Sequence, residues 1–151
     1  MAELSVIEER EIGAPADKVY GFIADVREHH QQFLPPSFGK IRIEEGGYGA
    51  GTIFRVDVTF AGSTRELHMQ MDEPIPGKVI TEADLHTPMV TTWTITPDGA
   101  TCRVRVATVW TSANGLSGLI ERLFAPGVMR KTYRDELNRL DHYAREQATA
   151  A

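Results

Sequence analysis

The sequence predicts an α+β fold: a curved antiparallel sheet of about seven strands around one long C-terminal helix, with two short helices between the first and second strands. Three observations predict it. First, from about Ser117 to Gln147 apolar residues recur at spacings of three and four. Leu119, Leu123, Pro126, Tyr133, Leu137, Leu140 and Ala144 form one helical stripe, with Arg130 its one strongly polar member. Second, segments between Lys40 and Trp110 alternate with period two and are joined by short turns, which makes consecutive strands antiparallel neighbours. Third, such a sheet needs its apolar face covered. The long helix, roughly 45 Å at ~1.5 Å per residue, is the element that can do so.

Taken in order, Leu4 to Ile12 is a strand. Leu4, Val6 and Ile12 share a side with Glu8 and Arg10, so its pattern alone leaves the buried face open. Gly13-Ala14-Pro15 then starts a helix: proline at its first position loses only a donor that would be unpaired, and Asp17 suits the positive helix end. Val19, Phe22 and Ile23 form its buried side. A second short helix, about Arg27 to Phe33, must stop before Pro35-Pro36. Lys40 to Glu45 is a short strand, and Gly46 to Gly51 a flexible connection.

The next strands alternate clearly. Phe54, Val56, Val58 and Phe60 share a face; so do Arg65, Leu67, Met69 and Met71. Val79, Thr81, Ala83 and Leu85 oppose Ile80, Glu82, Asp84 and His86, and His86 is assigned to the outer face, as is His68. Met89, Thr91, Trp93 and Ile95 form one side of the following strand. After the Pro97-Asp98-Gly99 turn, Cys102, Val104, Val106, Thr108 and Trp110 oppose Arg103 and Arg105. In the C-terminal helix, Pro126 should produce a kink near Arg122 to Phe124. Glu121, Arg122, Lys131, Arg134, Asp135, Glu136, Arg139 and Arg145 are assigned to its water-facing side.

Residues 1–147 are expected to form one domain, since 151 residues suffice for a proper core, and residues 148–151 a frayed tail. The net charge of -5 argues against nucleic acid or an anionic membrane as main partner. No apolar run approaches the roughly 18 residues of a membrane span. The opening MAELSVIEER lacks the basic and apolar regions of a signal peptide, and the single cysteine, Cys102, allows no internal disulfide. Both point to the cytoplasm.

With these elements in place, the chain resembles the helix-grip family that includes START domains, birch-pollen-allergen-like proteins and bacterial polyketide cyclase/dehydrase proteins, the SRPBCC superfamily. The matching features are Ile12-Gly13-Ala14-Pro15-Ala16-Asp17-Lys18-Val19-Tyr20, the Phe33-Leu34-Pro35 stop, the glycine-rich segment before Thr52, and a C-terminal helix with Pro126 inside and Leu137 and Leu140 near its end. Phe33-Leu34-Pro35 also resembles coenzyme Q-binding relatives. The resemblance implies a hollow between sheet and helix. It carries no catalytic motif to transfer, because the superfamily spans carriers, receptors and enzymes.

Candidate ligand-binding residues on the inner face are Phe54, Val56, Val58, Phe60, Arg65, Leu67, Met69, Met71, Trp93, Thr108 and Trp110, joined by Leu123, Arg130 and Tyr133 of the helix. Methionines and aromatics suit an adaptable apolar site. Arg65 and Arg130 offer a fork to a ligand carboxylate or enolate; Tyr20, Tyr48 and Tyr133 offer hydroxyls to a carbonyl. Glu8 and Arg10 either enter the cavity or pair on the surface. His29 and His30 are adjacent and point about 100° apart on a helix, so they do not share a metal. With no HExxH, CxxC or EF-hand spacing, no structural metal and no cofactor are expected. Gly47-Tyr48-Gly49-Ala50-Gly51 misplaces the third glycine of a dinucleotide loop and is read as a hairpin at the cavity mouth or an ordinary turn. The catalytic residues stay unassigned.

Three functions compete. The first is binding or transport of a hydrophobic small molecule: a lipid, quinone or polyketide-like compound. The second is a polyketide cyclase/dehydratase-like enzyme, which needs an acid/base pair inside the cavity. The third is a structural or interaction module, favoured by an interior without a pocket above roughly 300 Å³. The expected assembly is a monomer or homodimer.

Overall fold

The computed structural model describes residues 3–60, 62–111 and 126–150. In order these form β1 (Glu3–Ile12), α1 (Ala16–Ala24), a 3₁₀ turn (His30–Phe33), β2 (Arg42–Glu45), β3 (Ile53–Phe60), β4 (Ser63–Ile75), β5 (Val79–Asp84), β6 (Val90–Asp98), β7 (Thr101–Thr111) and α2 (Pro126–Ala150). The sheet order is β1-β7-β6-β5-β4-β3-β2, antiparallel throughout. Strands β2 to β7 are therefore a meander. β1 and β2 occupy the two sheet edges, and α1 with the 3₁₀ turn carries the chain between them. This is the helix-grip α+β fold expected from the sequence.

The inner face follows the alternation. Phe54, Val56 and Val58 of β3, Leu67, Met69 and Met71 of β4, and Trp93 and Ile95 of β6 are buried with Val104 and Val106 of β7. β1 buries Val6 and Ile12. Glu8 and Arg10 lie on that same side because they meet α2: Arg134 Nε donates to Glu8 Oε1 at 2.5 Å, and Arg10 Nη2 to Asp141 Oδ2 at 3.0 Å, with Asn138 also bonded to Arg10. Asp141 further accepts the amide of Gly13 at 2.8 Å, tying the β1–α1 junction to the last helix.

Several expectations need correction. Pro15 is the N-cap residue, with φ -63° and ψ 150°, one place before the helix it introduces. The second short helix contracts at its start to His30–Phe33, residues 26–29 forming a turn instead, while its end at Phe33 stands because Leu34 is extended ahead of Pro35. On β5 the parity continues from Ile80 through Glu82 and Asp84, so both carboxylates are buried on the inner side. His86 escapes because β5 ends at Asp84, and beyond a strand end alternation no longer dictates direction.

On α2 the buried stripe is Met129, Tyr133, Glu136, Leu137, Leu140 and Ala144. Met129 takes the inward place expected for Arg130. Neighbours on a helix point about 100° apart, so Arg130 faces water. Glu136, one turn on from Tyr133, is buried rather than solvated. α2 continues through Ala150 instead of fraying after Gln147, with Thr149 Oγ1 donating back to the Glu146 carbonyl at 2.9 Å. Leu119, Leu123 and the kink near Arg122 to Phe124 fall outside the described residues.

The glycine-rich loop is tied down against α1. Gly49 donates to the Ala24 carbonyl at 3.0 Å, Arg27 Nη2 to the Gly46 carbonyl at 2.7 Å, and Ala50 N to Glu73 Oε2 at 2.8 Å. Gly49 has φ +68°, and a side chain there would collide with the Glu73 carboxylate. Tyr20 donates to the other oxygen of Glu73 at 2.5 Å, and burial with this bond pushes its pKa up to about 12. Tyr20 is thus a brace for this loop. Tyr48 is exposed.

Candidate functional site

Between β3–β6, the 3₁₀ turn and α2 lies a cavity of about 70 Å³. At roughly 10–15 Å³ of such space per water, it has room for about five waters. Its walls include six of the predicted residues: Phe54, Val56, Leu67, Met69, Trp93 and Tyr133. Leu34, Phe38 and Ile41, from the segment between the 3₁₀ turn and β2, close one side. Met89 and Met129 add flexible thioethers.

The other predicted residues lie elsewhere. Val58, Met71, Thr108 and Trp110 are buried in the packed core without lining the cavity. The register explains two of them: Val58 pairs with Phe38, and Thr108 lies beside Thr91 across the β6–β7 pair. Arg65 sits at the head of β4, 3.7 Å from the carboxylate of Asp84, outside the cavity wall. Arg130 faces water. The side chain of Phe60 and all of Leu123 are outside the described residues. Cys102 is buried, and desolvation followed by the charge of Glu11 pushes its thiol up to about 11, which keeps it from acting as a thiolate near neutrality.

Sequence reasoning missed the cavity's polar end. His30, Glu82 and Glu136 all line it, and all are buried. His30 Nδ1 is 2.8 Å from the Ile23 carbonyl, so Nδ1 carries the hydrogen. Its other nitrogen, Nε2, faces Glu136 Oε2 at 3.9 Å and Glu82 Oε1 at 4.0 Å. Both distances exceed a hydrogen bond. Glu82 is held in place by the Trp93 indole, which donates to Oε1 at 2.7 Å. Glu136, only 3% exposed, makes no hydrogen bond to any described residue. Burial first, then the neighbouring Glu82 charge, raises its pKa well above the ordinary carboxylate value, so it keeps its proton unusually far up the pH scale.

A hydroxyl string runs beside this cluster. Tyr133 is hydrogen-bonded to Thr108, and Thr108 to Thr91 at 2.7 Å. Burial raises the Tyr133 pKa, against the bonds from the two threonines. The site thus combines an apolar wall, an acid that retains its proton, an imidazole with one nitrogen directed inward, and no Lys or Arg among the described residues that line it. One signal was present in the sequence: Glu82 shares the parity of Ile80, so a strand with a buried Ile80 also buries a carboxylate.

The sequence profile of the family described as polyketide cyclase / dehydrase and lipid transport matches residues 3–145. The chain belongs to that family. Among solved structures it is similar to the KanY protein, with 26% identity over 96% of this chain and 99% of that one and a TM-score of 0.83. It is also similar to an aromatase/cyclase from Streptomyces sp. R1128, at 22% identity over 97% and 96% and a TM-score of 0.79. The norcoclaurine synthase of Thalictrum flavum shares the fold at 16% identity, 97% coverage of both chains and a TM-score of 0.74. No curated protein sequence matches the chain. Among the described residues no helix is long and apolar enough to cross a membrane.

Proposed function

We propose that the cavity binds a small, mainly apolar molecule bearing one hydroxyl group. The apolar part packs on Phe54, Leu67, Met69 and Trp93, and the polar group sits between His30 Nε2 and Glu136. The observation that carries this reading is the Glu136 carboxyl: buried, without a hydrogen-bond partner among the described residues, and facing an imidazole nitrogen 3.9 Å away. A filled core does not gather such groups, because each unpartnered buried polar group costs about 1–3 kcal/mol. A hydroxyl placed between them satisfies both, donating to the Nε2 lone pair and accepting from the protonated Glu136 carboxyl. By volume alone, about 70 Å³ is the interior expected of a filled module and is below the roughly 300 Å³ of drug-sized ligand sites. Larger ligands therefore require Met69, Met89 and Met129 to change rotamer, which unbranched side chains do readily.

A second reading has its own observation. A protonated carboxylic acid beside an imidazole is the pair that an aldol-type ring closure or loss of water requires: His30 Nε2 accepts a proton next to a carbonyl, and Glu136 donates one to the oxygen that gains charge or leaves. Family membership is compatible with either reading, so the two differ only in whether the bound molecule turns over.

The test is selectivity. Isothermal titration of p-cresol and toluene compares one shape with and without a hydroxyl. Wild-type protein is expected to prefer p-cresol by roughly tenfold, the equivalent of about 1.4 kcal/mol for one buried hydrogen bond. Equal affinity, or no binding of either, overturns the reading.

A further inference from the structure

On the other side of the sheet from the cavity, two imidazoles meet. His68 lies on β4 with its side chain 14% exposed, and His86 is exposed on the turn between β5 and β6. Nδ1 of His68 is 3.1 Å from Nε2 of His86, with ring centres 5.2 Å apart and planes tilted by 32°. The other nitrogen of His68, Nε2, lies 2.6 Å from Glu44 Oε1. A carboxylate only accepts, so Nε2 carries the hydrogen and Nδ1 of the neutral ring presents its lone pair to His86. Glu44 is itself fixed by Arg55, whose Nε donates to Oε2 at 3.0 Å, and Arg55 is braced by Glu66 at 2.5 Å.

Two imidazole nitrogens this close share either one proton or one metal ion. Nitrogens at ~2.0–2.1 Å from a tetrahedral ion stand roughly 3.3 Å apart, which places the ring centres roughly 5 Å apart. The observed separations match with adjustments of tenths of an ångström. Metal-bound histidines also donate their second nitrogen to a carboxylate, which fixes the tautomer and strengthens the ligand; Glu44 already does this for His68.

We propose that His68 Nδ1 and His86 Nε2 bind one divalent transition-metal ion of the kind imidazole prefers, Zn²⁺, Ni²⁺ or Cu²⁺, with Glu44 as the outer acceptor. The remaining coordination positions face solvent and take water or an external ligand. The two histidines are 18 residues apart and converge only through the β4–β5 pairing and the bend after Asp84, so no local spacing motif announces them. The site is independent of the cavity.

The test is titration of the tag-free chain with Cu²⁺ and with Zn²⁺ at about pH 7.5, where imidazoles are largely neutral. Calorimetry should give one ion per chain, with Cu²⁺ bound more tightly than Zn²⁺, and the Cu²⁺ spectrum should show two nitrogen ligands. His86→Gln removes a ligand from an exposed turn and should weaken binding at least ~10-fold with an unchanged circular dichroism spectrum. His68→Gln should do the same. Glu44→Gln should weaken it by about 10–100-fold, the usual cost of losing an outer partner. His29→Gln serves as the control, because Asp25, Glu28 and His29 bring three potential ligand atoms together among the described residues; it should leave binding unchanged. Absence of binding, persistence of binding in His68→Gln and His86→Gln, or loss in His29→Gln overturns the proposal.

Discussion

Replacing Glu136 by leucine is predicted to stabilise the protein while removing its recognition of a ligand oxygen. Glu136 is 3% exposed and has no hydrogen-bond partner among the described residues, so folding trades bulk water around its carboxyl for whatever the cavity holds. An incompletely satisfied buried carboxyl costs about 1–3 kcal/mol, and leucine of similar volume adds an apolar group to the cavity wall that Met129 and Trp93 also line. The variant should gain about 1–3 kcal/mol, a rise of roughly 2–10 °C in melting temperature for a chain of this length. The pH dependence has a definite sign. Because the folded pKa is raised, the native state holds a proton that the unfolded chain releases above its ordinary value of 4.5. Wild-type stability therefore falls with rising pH from there up to the folded pKa. Tyr20 and Tyr133 are raised from already higher values and contribute nothing to this window. Urea denaturation of both proteins across a pH series measures the difference, which should widen in favour of the variant as pH rises. A variant less stable by about 1 kcal/mol or more, or one with an unchanged pH slope, refutes the argument that Glu136 is kept at a cost to the fold.

Three further predictions follow the same reasoning. Trp93→Phe keeps an aromatic ring but removes the 2.7 Å donor to Glu82; leaving that carboxylate without its partner should cost about 1.5–3 kcal/mol by urea denaturation. Asp141→Asn loosens the junction of β1, α1 and α2. Burial alone raises the Asp141 pKa, but the Gly13 amide, Arg145 and Arg10 outweigh it and hold the value below ordinary, so its contribution is present above the ordinary carboxylate range and disappears as pH falls through the folded value. The variant should be weaker by about 1–3 kcal/mol at neutrality and indistinguishable from wild type in strong acid. Leu140→Ala, at a position fully buried beneath the sheet, should cost about 2–5 kcal/mol through the cavity it leaves.

The fold was legible because alternation and helical periodicity are set by burial, and most residues here obey both. Phe54 to Val58 and Leu67 to Met71 read correctly, since each strand carries large apolar residues on one side only. The site was legible in part. Its apolar wall follows from the same alternation, but its chemistry rests on exceptions. Glu82 and Glu136 are charged residues, and solvent is the ordinary place for them. Glu136 lies at the edge of the α2 stripe, where helical spacing admits either side, and only the fold shows that the cavity opens there. His30 depended on how the 3₁₀ turn orients it, which Pro35 limits but does not dictate. Arg130 failed by one residue: Met129, its neighbour, takes the inward direction, and a stripe read at spacings of three and four does not separate them. His68 and His86 were assigned to the outer face individually, yet their meeting depends on a bend that alternation does not describe.

The most direct measurement is the position of a bound hydroxyl. A crystal structure of the protein with p-cresol should place the phenol oxygen between His30 Nε2 and the Glu136 carboxyl, within roughly 3.2 Å of each, with the ring against Trp93 and Met69 and at least one cavity methionine in a new rotamer. A cresol bound elsewhere, or bound in the cavity with its oxygen turned away from His30 and Glu136, contradicts the account.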